Sequence, residues 1–494
     1  MTTAGRTLSQ LGLPVQGGAD VPVTGLAIDS RKVGQGTLFA ALPGTRVHGA
    51  RFIAGALEDG AAAILTDREG AALAADALQG SGAALIVAED ARATLAHAAA
   101  LWFGPGPETL VAVTGTNGKT SVASFTRQIW EHLGHRAVNI GTTGVEGSYS
   151  APGIHTTPDA LTLQSLLARI KEDGIERVAM EASSHGLDQR RMEAVAPCAA
   201  AFTNLTQDHL DYHGTMEAYF EAKLRLFNEL LPDDGVAVVN VDDPYGQRVA
   251  DLVEARGSEV IGVAQYADGA ELKITGRRLD ERGQDLLVQA WGRPVRLRLP
   301  LIGAFQAMNV LTAAALVIAS GEDPEAVFGA LPQLKGVRGR MQLAGVRVNG
   351  APVYVDYAHT PDALENALKA LRPHVLGRLH VIFGAGGDRD RGKRPIMGEV
   401  AAANADVIIV TDDNPRSEDP ATIRAEVLSG CPGAAEVGDR AEAILRAVDA
   451  LQAGDALLIA GKGHETGQQV GDVVYPFDDV EQASVAVAAL EGRE

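Results

Sequence analysis

The chain has 494 residues, of which 46% are hydrophobic and 21% are charged. This length exceeds what one hydrophobic core usually organises, so about three domains of common size are expected. The formal net charge of -20 disfavours a nucleic-acid partner, because a polyanion is repelled. Two cysteines are too few for a disulfide framework, and no apolar run approaches the roughly 20 residues that span a bilayer. The sequence therefore predicts a cytoplasmic protein without a membrane partner.

The first domain is expected over residues 1–106 as a small α/β unit. Apolar strands are predicted at 62–65 and 84–87, and an alanine-rich helix is predicted after Asp90. Glycine and proline residues at 104–107 then separate this unit from the next.

Two further α/β domains are expected, over residues 107–337 and 338–494. Apolar runs of strand length recur between helical stretches at 110–113, 178–180, 199–202, 236–239, 353–355, 380–383, 407–410 and 457–459. Such alternation predicts parallel sheets covered by helices, doubly wound in the last domain. Ligands of these sheets bind beyond the carboxyl ends of the strands, and the polar motifs fall there.

A phosphate-binding loop is predicted where the run 111–114 is followed by Gly115-Thr116-Asn117-Gly118-Lys119-Thr120. The strand, the tight loop and a helix running to about Leu133 would aim backbone N–H groups at phosphates. Lys119 would add a point charge, and the Thr120 hydroxyl can ligate Mg²⁺. The general P-loop has glycine where this chain has Val113, so the motif is a variant.

Acidic and imidazole groups follow two later strands. Glu181 comes after the run 178–180, where its carboxylate can reach a metal beside nucleotide phosphates. Asp208, His209, Asp211 and His213 lie within six residues after the next strand. A hydrogen-bonded turn would explain that second cluster nearly as well as metal binding.

Four motifs in this order resemble the central domain of the Mur ligases. They are Gly115 to Thr120, Glu181-Ala182-Ser183-Ser184-His185, the segment 203–211 and Asn240-Val241-Asp242-Asp243. The resemblance extends to Asp29-Ser30-Arg31, similar to the family's UDP-binding domain, and to the segment 356–362, similar to the start of its C-terminal domain. Within the family, the chain resembles the members that add a diamino acid to a UDP-linked muramoyl dipeptide.

The resemblance implies ATP and Mg²⁺ as cofactors and UDP-N-acetylmuramoyl-L-Ala-D-Glu as a substrate. An acyl phosphate would form on the D-Glu carboxylate, and an amine would then displace phosphate. By resemblance, Lys119, Glu181, His209 and Lys223 are catalytic, and the metal is held by Thr120, Glu181, His209 and Lys223. The ATP site would add Asn309, Arg340 and Asp356 to the loop residues.

Lys223 lies in an amphipathic helical segment where a solvated lysine would be expected from the sequence alone. The family resemblance reverses that expectation, because the matching lysine of similar enzymes is carbamylated by CO₂. The carbamate would be an oxygen anion suited to Mg²⁺.

Substrate contacts carry over from the same resemblance. The muramoyl peptide would be bound by Ser30, Thr156, Thr157, Ser184, Gln189 and Arg191. The amino acid would be bound by Arg389, Asp413, Asn414, Arg416, Gly461 and Glu465. Arg416 could clamp the side-chain carboxylate of meso-diaminopimelate, which lysine lacks, and Glu465 would bind the distal ammonium.

Alternatives remain open at this point. An Asx-type turn with an exposed arginine would also explain the segment 413–416, and an arginine there does not by itself exclude lysine or ornithine as the amino acid. Folylpolyglutamate synthetase is one alternative, because it shares the phosphate loop and the central domain. A P-loop NTPase is another, although it would need no amino-acid-binding domain. Gly384-Ala385-Gly386-Gly387 suggests a dinucleotide-binding oxidoreductase, but the last glycine of that fingerprint would fall at Arg389.

Overall fold

The computed structural model describes residues 5–14, 19–44, 47–153, 155–280 and 283–492. The chain forms two compact units, one of residues 1–271 with 312–327 and one of residues 272–311 with 328–494. Within the described stretches, no helix is both long and apolar enough to cross a membrane. The domain boundaries expected after residues 106 and 337 stay predictions.

The first unit begins with a small α/β region. Its strands are β1 (Arg6–Thr7), β2 (Pro22–Val23), β3 (Gly25–Ala27), β4 (Thr37–Ala40), β5 (Ala63–Thr66) and β6 (Ala84–Val87). Its helices are α1 (Ile53–Glu58), α2 (Arg68–Leu73), α3 (Ala75–Leu78) and α4 (Ala91–Phe103). The strands β3 to β6 form a parallel four-stranded sheet in chain order, and the predicted helix after Asp90 is α4.

A larger sheet follows in the same unit. Its strands are β7 (Thr109–Thr114), β8 (Ala137–Gly141), β9 (Gly144–Gly147), β10 (Arg177–Glu181), β11 (Ala199–Phe202), β12 (Val236–Asn240) and β13 (Glu259–Ala264). The helices are α5 (Lys119–His132), α6 (Ala160–Glu172), α7 (Ser184–Asp188), α8 (Leu210–His213), α9 (Met216–Arg225) and α10 (Pro244–Ala255).

The strand order is β13-β12-β11-β7-β10-β8-β9, and every pair is parallel except β8 with β9. Strands buried on both faces read as continuous apolar runs, which is why the sequence predicted β7, β10, β11 and β12 within a residue of their ends. The carboxyl ends of β7, β10 and β11 therefore lie side by side, where the predicted motifs fall.

The second unit opens with an antiparallel meander that the sequence did not predict. Its strands are β14 (Leu272–Asp280), β15 (Gly283–Ala290) and β16 (Arg293–Leu299). Two helices follow, α11 (Phe305–Ala319) and α12 (Pro324–Ala330), and the division between the units passes through both.

The rest of the second unit is a six-stranded sheet and a separate two-stranded hairpin, with helices. The strands are β17 (Gln342–Val346), β18 (Pro352–Asp356), β19 (Leu379–Phe383), β20 (Val407–Val410), β21 (Ala435–Glu436), β22 (Ala456–Ala460), β23 (Gly467–Val470) and β24 (Val473–Pro476). The helices are α13 (Pro361–Leu371), α14 (Lys393–Asn404), α15 (Pro420–Leu428), α16 (Arg440–Ala450) and α17 (Asp479–Leu490).

The order of this sheet is β17-β18-β22-β19-β20-β21, with β17 antiparallel and the remaining pairs parallel. Successive residues of β18 point into different cores: Tyr354 packs with α13 and α14, whereas Val353 and Val355 pack with α16 and α17. Helices cover both faces, so the doubly wound α/β prediction is confirmed. β23 and β24 form a separate hairpin.

Candidate active site

The loop between β7 and α5 is held in shape by its neighbours. Gly115 and Gly118 have φ values of 141° and 90°, which side-chain-bearing residues rarely adopt. A Cβ on Gly115 would lie 1.9 Å from the Thr203 hydroxyl oxygen. The N–H groups of Thr116 and Asn117 donate to the backbone and side-chain oxygens of Asn204, at 2.8 and 2.9 Å. These contacts fix the loop to neighbouring segments at the start of a 14-residue helix.

Two lysines converge on this loop. Lys119 donates to the carbonyl oxygens of Gly115 and Thr116, at 2.9 and 2.8 Å. Lys223 is 1% exposed, and its Nζ donates to the same Gly115 oxygen at 2.7 Å. Burial, assisted by the charge of Lys119, lowers the pKa of Lys223 well below its usual value. The solvated lysine expected from the sequence alone is wrong, because α9 turns this residue inward.

Glu181 is the last residue of β10 and is 1% exposed. One carboxylate oxygen accepts from the Thr142 N–H at 2.8 Å, and the other accepts from the Thr142 hydroxyl at 3.2 Å. A Cβ on Gly141 would lie 2.0 Å from the first oxygen, so a larger residue there would displace the Glu181 carboxylate. Sequence reasoning missed Thr142. Its signal was Gly141-Thr142-Thr143, directly after the apolar strand β8.

His209 has a left-handed backbone, with φ 52°, and packs against the ring of His185 at 4.8 Å. Burial lowers the pKa of both imidazoles, that of His185 to about 4. His213 lies 5.5 Å from His185. Among the residues that the structure describes, no three or more His, Cys, Asp or Glu side chains are grouped to hold a metal ion. The metal-ligand role of His209 stays a prediction.

Four residues predicted to bind the muramoyl peptide, all in this unit, belong to one hydrogen-bond network. The Thr157 hydroxyl donates to the Glu181 carbonyl at 2.9 Å, and Arg191 donates to the Thr157 carbonyl at 2.7 Å. Gln189 accepts from Arg191 at 2.8 Å. Thr156 lies 3.1 Å from the Thr142 hydroxyl.

Two further residues predicted to bind the substrate, Ser184 and Ser30, are not members of this network. Ser184, at the start of α7, is buried, and its hydroxyl has no hydrogen-bond partner among the described atoms. Ser30 begins a short 3-10 turn that Asp29 caps by accepting from the Arg31 N–H. The structure brings Ser30 into none of the contacts of the other predicted substrate residues.

In the second unit, Asp356 ends β18 and is 9% exposed. Its two carboxylate oxygens accept from the N–H groups of Met341 and Ala358, at 2.7 and 2.9 Å, while burial raises its pKa. The guanidinium of Arg340 lies over the Tyr357 ring, 4.7 Å from its centre. Asn309, on α11, donates to the Gln306 side chain at 3.0 Å.

All the residues predicted to bind the amino acid, except Arg389, lie in the loops where β20 and β22 end. Asn414 donates to the Glu465 carboxylate at 2.9 Å, and a Cβ on Gly461 would lie 2.6 Å from an Asp413 carboxylate oxygen. Arg416 donates to the Gly387 carbonyl at 2.7 Å.

Several contacts of this cluster were not expected from the sequence. Lys462 is 0% exposed and donates to Asn414 and Glu465, at 3.2 Å each. The β23–β24 hairpin adds the N–H of Gln469, which donates to the Asn414 side chain at 2.9 Å. Arg389 is exposed and stays outside these contacts. A simple Asx turn does not account for so many partners.

Comparisons with known proteins agree with this geometry. Family models match residues 22–102 (Mur ligase family, catalytic domain), 113–317 (Mur ligase middle domain) and 339–463 (Mur ligase, glutamate ligase domain). The chain belongs to the Mur ligase family. Mur ligases are ATP-dependent amide-forming ligases, so the switch-type NTPase and oxidoreductase alternatives are set aside.

Two Mur ligase relatives are named UDP-N-acetylmuramoyl-L-alanyl-D-glutamate--2,6-diaminopimelate ligase. The protein of Caulobacter vibrioides is 52% identical over 96% of both chains. That of Bradyrhizobium diazoefficiens is 50% identical over 95% of this chain and 96% of its own. A solved structure of a ligase of the same name is 34% identical and covers 99% of both chains, with a TM-score of 0.72.

Proposed function

We propose that the protein joins meso-2,6-diaminopimelate to the D-Glu carboxylate of UDP-N-acetylmuramoyl-L-Ala-D-Glu, driven by ATP, during cytoplasmic synthesis of peptidoglycan precursors. One observation carries the proposal. The chain has 52% and 50% sequence identity, along nearly its whole length, to two relatives that are named for this reaction. The packed cluster of Asn414, Arg416 and Glu465 supports it from the structure.

The reaction needs activation because a carboxylate oxygen is a very poor leaving group. Transfer of the γ-phosphoryl group to the D-Glu carboxylate gives an acyl phosphate, which an amine attacks with release of phosphate. The loop N–H groups and Lys119 are placed at a helix start, where they stabilise negative charge on the transferred group. At present Lys119 caps two loop carbonyls, and in this proposal it turns to the phosphates.

Mg²⁺ beside the phosphates would supply further charge neutralisation. The residues present fit such an ion: Thr120 and Glu181 offer oxygen atoms, and Glu181 sits in a cradle that leaves no room for a Cβ at Gly141. His209 would add a nitrogen ligand. Lys223 fits only after carbamylation, since an ammonium would repel the cation. The lowered pKa of Lys223 favours the neutral amine that reacts with CO₂.

The muramoyl peptide would lie along the network of Thr156, Thr157, Gln189 and Arg191, with Ser184 beside it. The guanidinium of Arg191 is held in place by Thr157 and Gln189, so little side-chain entropy remains to be lost when it meets an anionic peptide. The unpartnered Ser184 hydroxyl can accept or donate one further hydrogen bond. Ser30 would contact the UDP end.

For the amino acid, Arg416 would receive the side-chain carboxylate and Glu465 the ammonium at the same end. Asn414 and Lys462 both donate to one Glu465 oxygen, which leaves the other to accept from an ammonium. Arg389, Asp413 and Gly461 complete this pocket by family position.

A phosphate-release assay tests the proposal. Release should require the UDP-dipeptide together with an amine, and meso-diaminopimelate should support it better than lysine or ornithine. Equal rates with lysine would overturn the choice of amino acid. Rapid release without the dipeptide would overturn the ligase assignment itself.

A further inference from the structure

Arg394 is a fully buried arginine near the start of α14. Its side chain is 0% exposed. It donates to both carboxylate oxygens of Glu418 at 2.8 and 2.9 Å, to Glu426 at 2.7 Å and to the Gly386 carbonyl at 3.2 Å. A charged group is buried in this way only when partners compensate its lost hydration. The hydrogen bonds of Arg394 therefore connect several segments of the chain.

The segments it joins are two loops, the 384–390 loop after β19 and the 413–418 loop after β20. Glu418 belongs to the second loop, and one of its oxygens also accepts from the Asp388 N–H of the first at 2.6 Å. Hydrogen bonds from Arg394 and from that N–H lower the pKa of Glu418 to about 2. Ser417 adds a hydroxyl hydrogen bond to Asp388 at 2.6 Å.

Arg416 depends on this junction for its position. Its guanidinium donates to the Gly387 carbonyl at 2.7 Å, and the Gly387 N–H donates to the Asn414 carbonyl at 2.9 Å. The two loops touch so closely that a Cβ on Gly387 would lie 1.9 Å from the Pro415 oxygen. Any movement of the 384–390 loop would therefore move the group that holds the Arg416 side chain.

The backbone of Arg416 also needs support. Its φ of 51° lies in the left-handed region, which is energetically unfavourable for a side-chain-bearing residue. The hairpin side supplies part of this support, because the Arg416 N–H donates to Gln469 at 3.1 Å and its carbonyl accepts from Gly471 at 2.7 Å. Glu418, two residues on, is the corresponding anchor on the Arg394 side.

We propose that Arg394 is a positioning residue that fixes the Arg416 guanidinium where the side-chain carboxylate of the diamino acid is received. The proposal rests on the proposed function, since it takes Arg416 as the partner of that carboxylate. Paired hydrogen bonds to a carboxylate demand tight placement of the guanidinium plane. Without Arg394, Arg416 keeps its charge and loses its orientation. Binding of the carboxylate therefore weakens more than the rate of amide formation falls.

The test compares Arg394→Lys and Glu418→Gln with a matched control, Arg391→Met. Arg391 is exposed and pairs with the same Glu426, yet no hydrogen bond or ion pair joins it to Glu418 among the described residues. The KM for meso-diaminopimelate should rise about tenfold to a hundredfold in the first two variants, with kcat less affected. Their preference for meso-diaminopimelate over lysine should fall by a similar factor. The control should retain both values, and circular dichroism should show all three folded.

A double variant separates positioning from a general structural role. In an Arg416→Ala background, adding Arg394→Lys should change the preference between the two amino acids no further. The inference is overturned if either folded single variant keeps the wild-type preference, or if both amino acids lose kcat equally. Failure of the proposed function looks different, because the wild-type protein itself would then not join meso-diaminopimelate.

Discussion

The Nζ of Lys223 lies 2.7 Å from the carbonyl oxygen of Gly115, which also accepts from Lys119 at 2.9 Å. Two basic side chains thus meet at one backbone oxygen of the phosphate loop. Since Lys223 is buried and faces the charge of Lys119, its pKa is lowered. The lowered pKa favours the neutral amine, the form of a lysine that can add CO₂.

We expect Lys223 to be carbamylated, because a neutral buried amine adds CO₂. The product is an anion, which Lys119 and the proposed Mg²⁺ would stabilise. Protein equilibrated with ¹³C-bicarbonate should show a carbamate carbon resonance that is missing from Lys223→Ala. The variant should lose ligase activity, and short-chain carboxylic acids should restore part of it by supplying the missing oxygens.

Lys119→Ala serves as the comparison, since it removes a positive charge that no carboxylic acid replaces. Its activity should stay low with acetate present, by about a hundredfold or more relative to wild type. Rescue of Lys119→Ala, or a carbamate resonance that persists in Lys223→Ala, would count against this account.

Arg416→Ala should remove most of the preference for meso-diaminopimelate over lysine. A charged hydrogen-bonded partner is worth about 1.5 to 3 kcal/mol, so the ratio of kcat/KM values should fall by about tenfold to a hundredfold. Competition between the two amino acids in one reaction, with products separated by mass, measures that ratio. An unchanged ratio would show that another group reads the carboxylate.

The pair of Arg440 and Asp479 predicts a large effect on stability. Both side chains are 0% exposed, with two hydrogen bonds of 2.7 Å between them. Arg440→Ala leaves a buried carboxylate without its partner and should lower the free energy of unfolding by about 3 to 5 kcal/mol. Arg446→Ala, on the same helix, breaks an exposed pair with Glu442 and should cost about 1 kcal/mol or less. Urea unfolding of both variants measures this difference, and equal losses would contradict it.

Sequence patterns predicted the parallel strands because their burial on both faces produces continuous apolar runs. The strands of the meander β14 to β16 were not predicted, because they mix arginine with leucine, as in residues 293–299, and give no such run. The site residues Thr142 and Lys462 were not predicted for another reason. Their partners, Glu181 and Asn414, lie 39 and 48 residues away in the chain and are brought near by the strand order.

Acid should destabilise the protein partly through His464. Burial, with a smaller effect of nearby Arg340, lowers the pKa of His464 from 6.5 to about 4. The unfolded chain therefore takes up this proton at higher pH than the folded protein does. The stability that this ring contributes is complete above pH 6.5 and is lost progressively as pH falls through about 4.

The variant His464→Gln should accordingly lose less free energy of unfolding than wild type across that pH range. One proton corresponds to a difference in slope of at most about 1.4 kcal/mol per pH unit. Urea titrations at successive pH values measure both slopes, and identical slopes would show that this ring titrates normally.

In the proposed reaction, phosphoryl transfer activates the D-Glu carboxylate before the amide bond forms. Substrate whose D-Glu carboxylate carries ¹⁸O tests it most directly, with mass analysis of the phosphate released during turnover with meso-diaminopimelate. Because the amine displaces phosphate from carbon, each phosphate should contain one labelled oxygen from the carboxylate. Amide product accompanied by unlabelled phosphate would contradict the account.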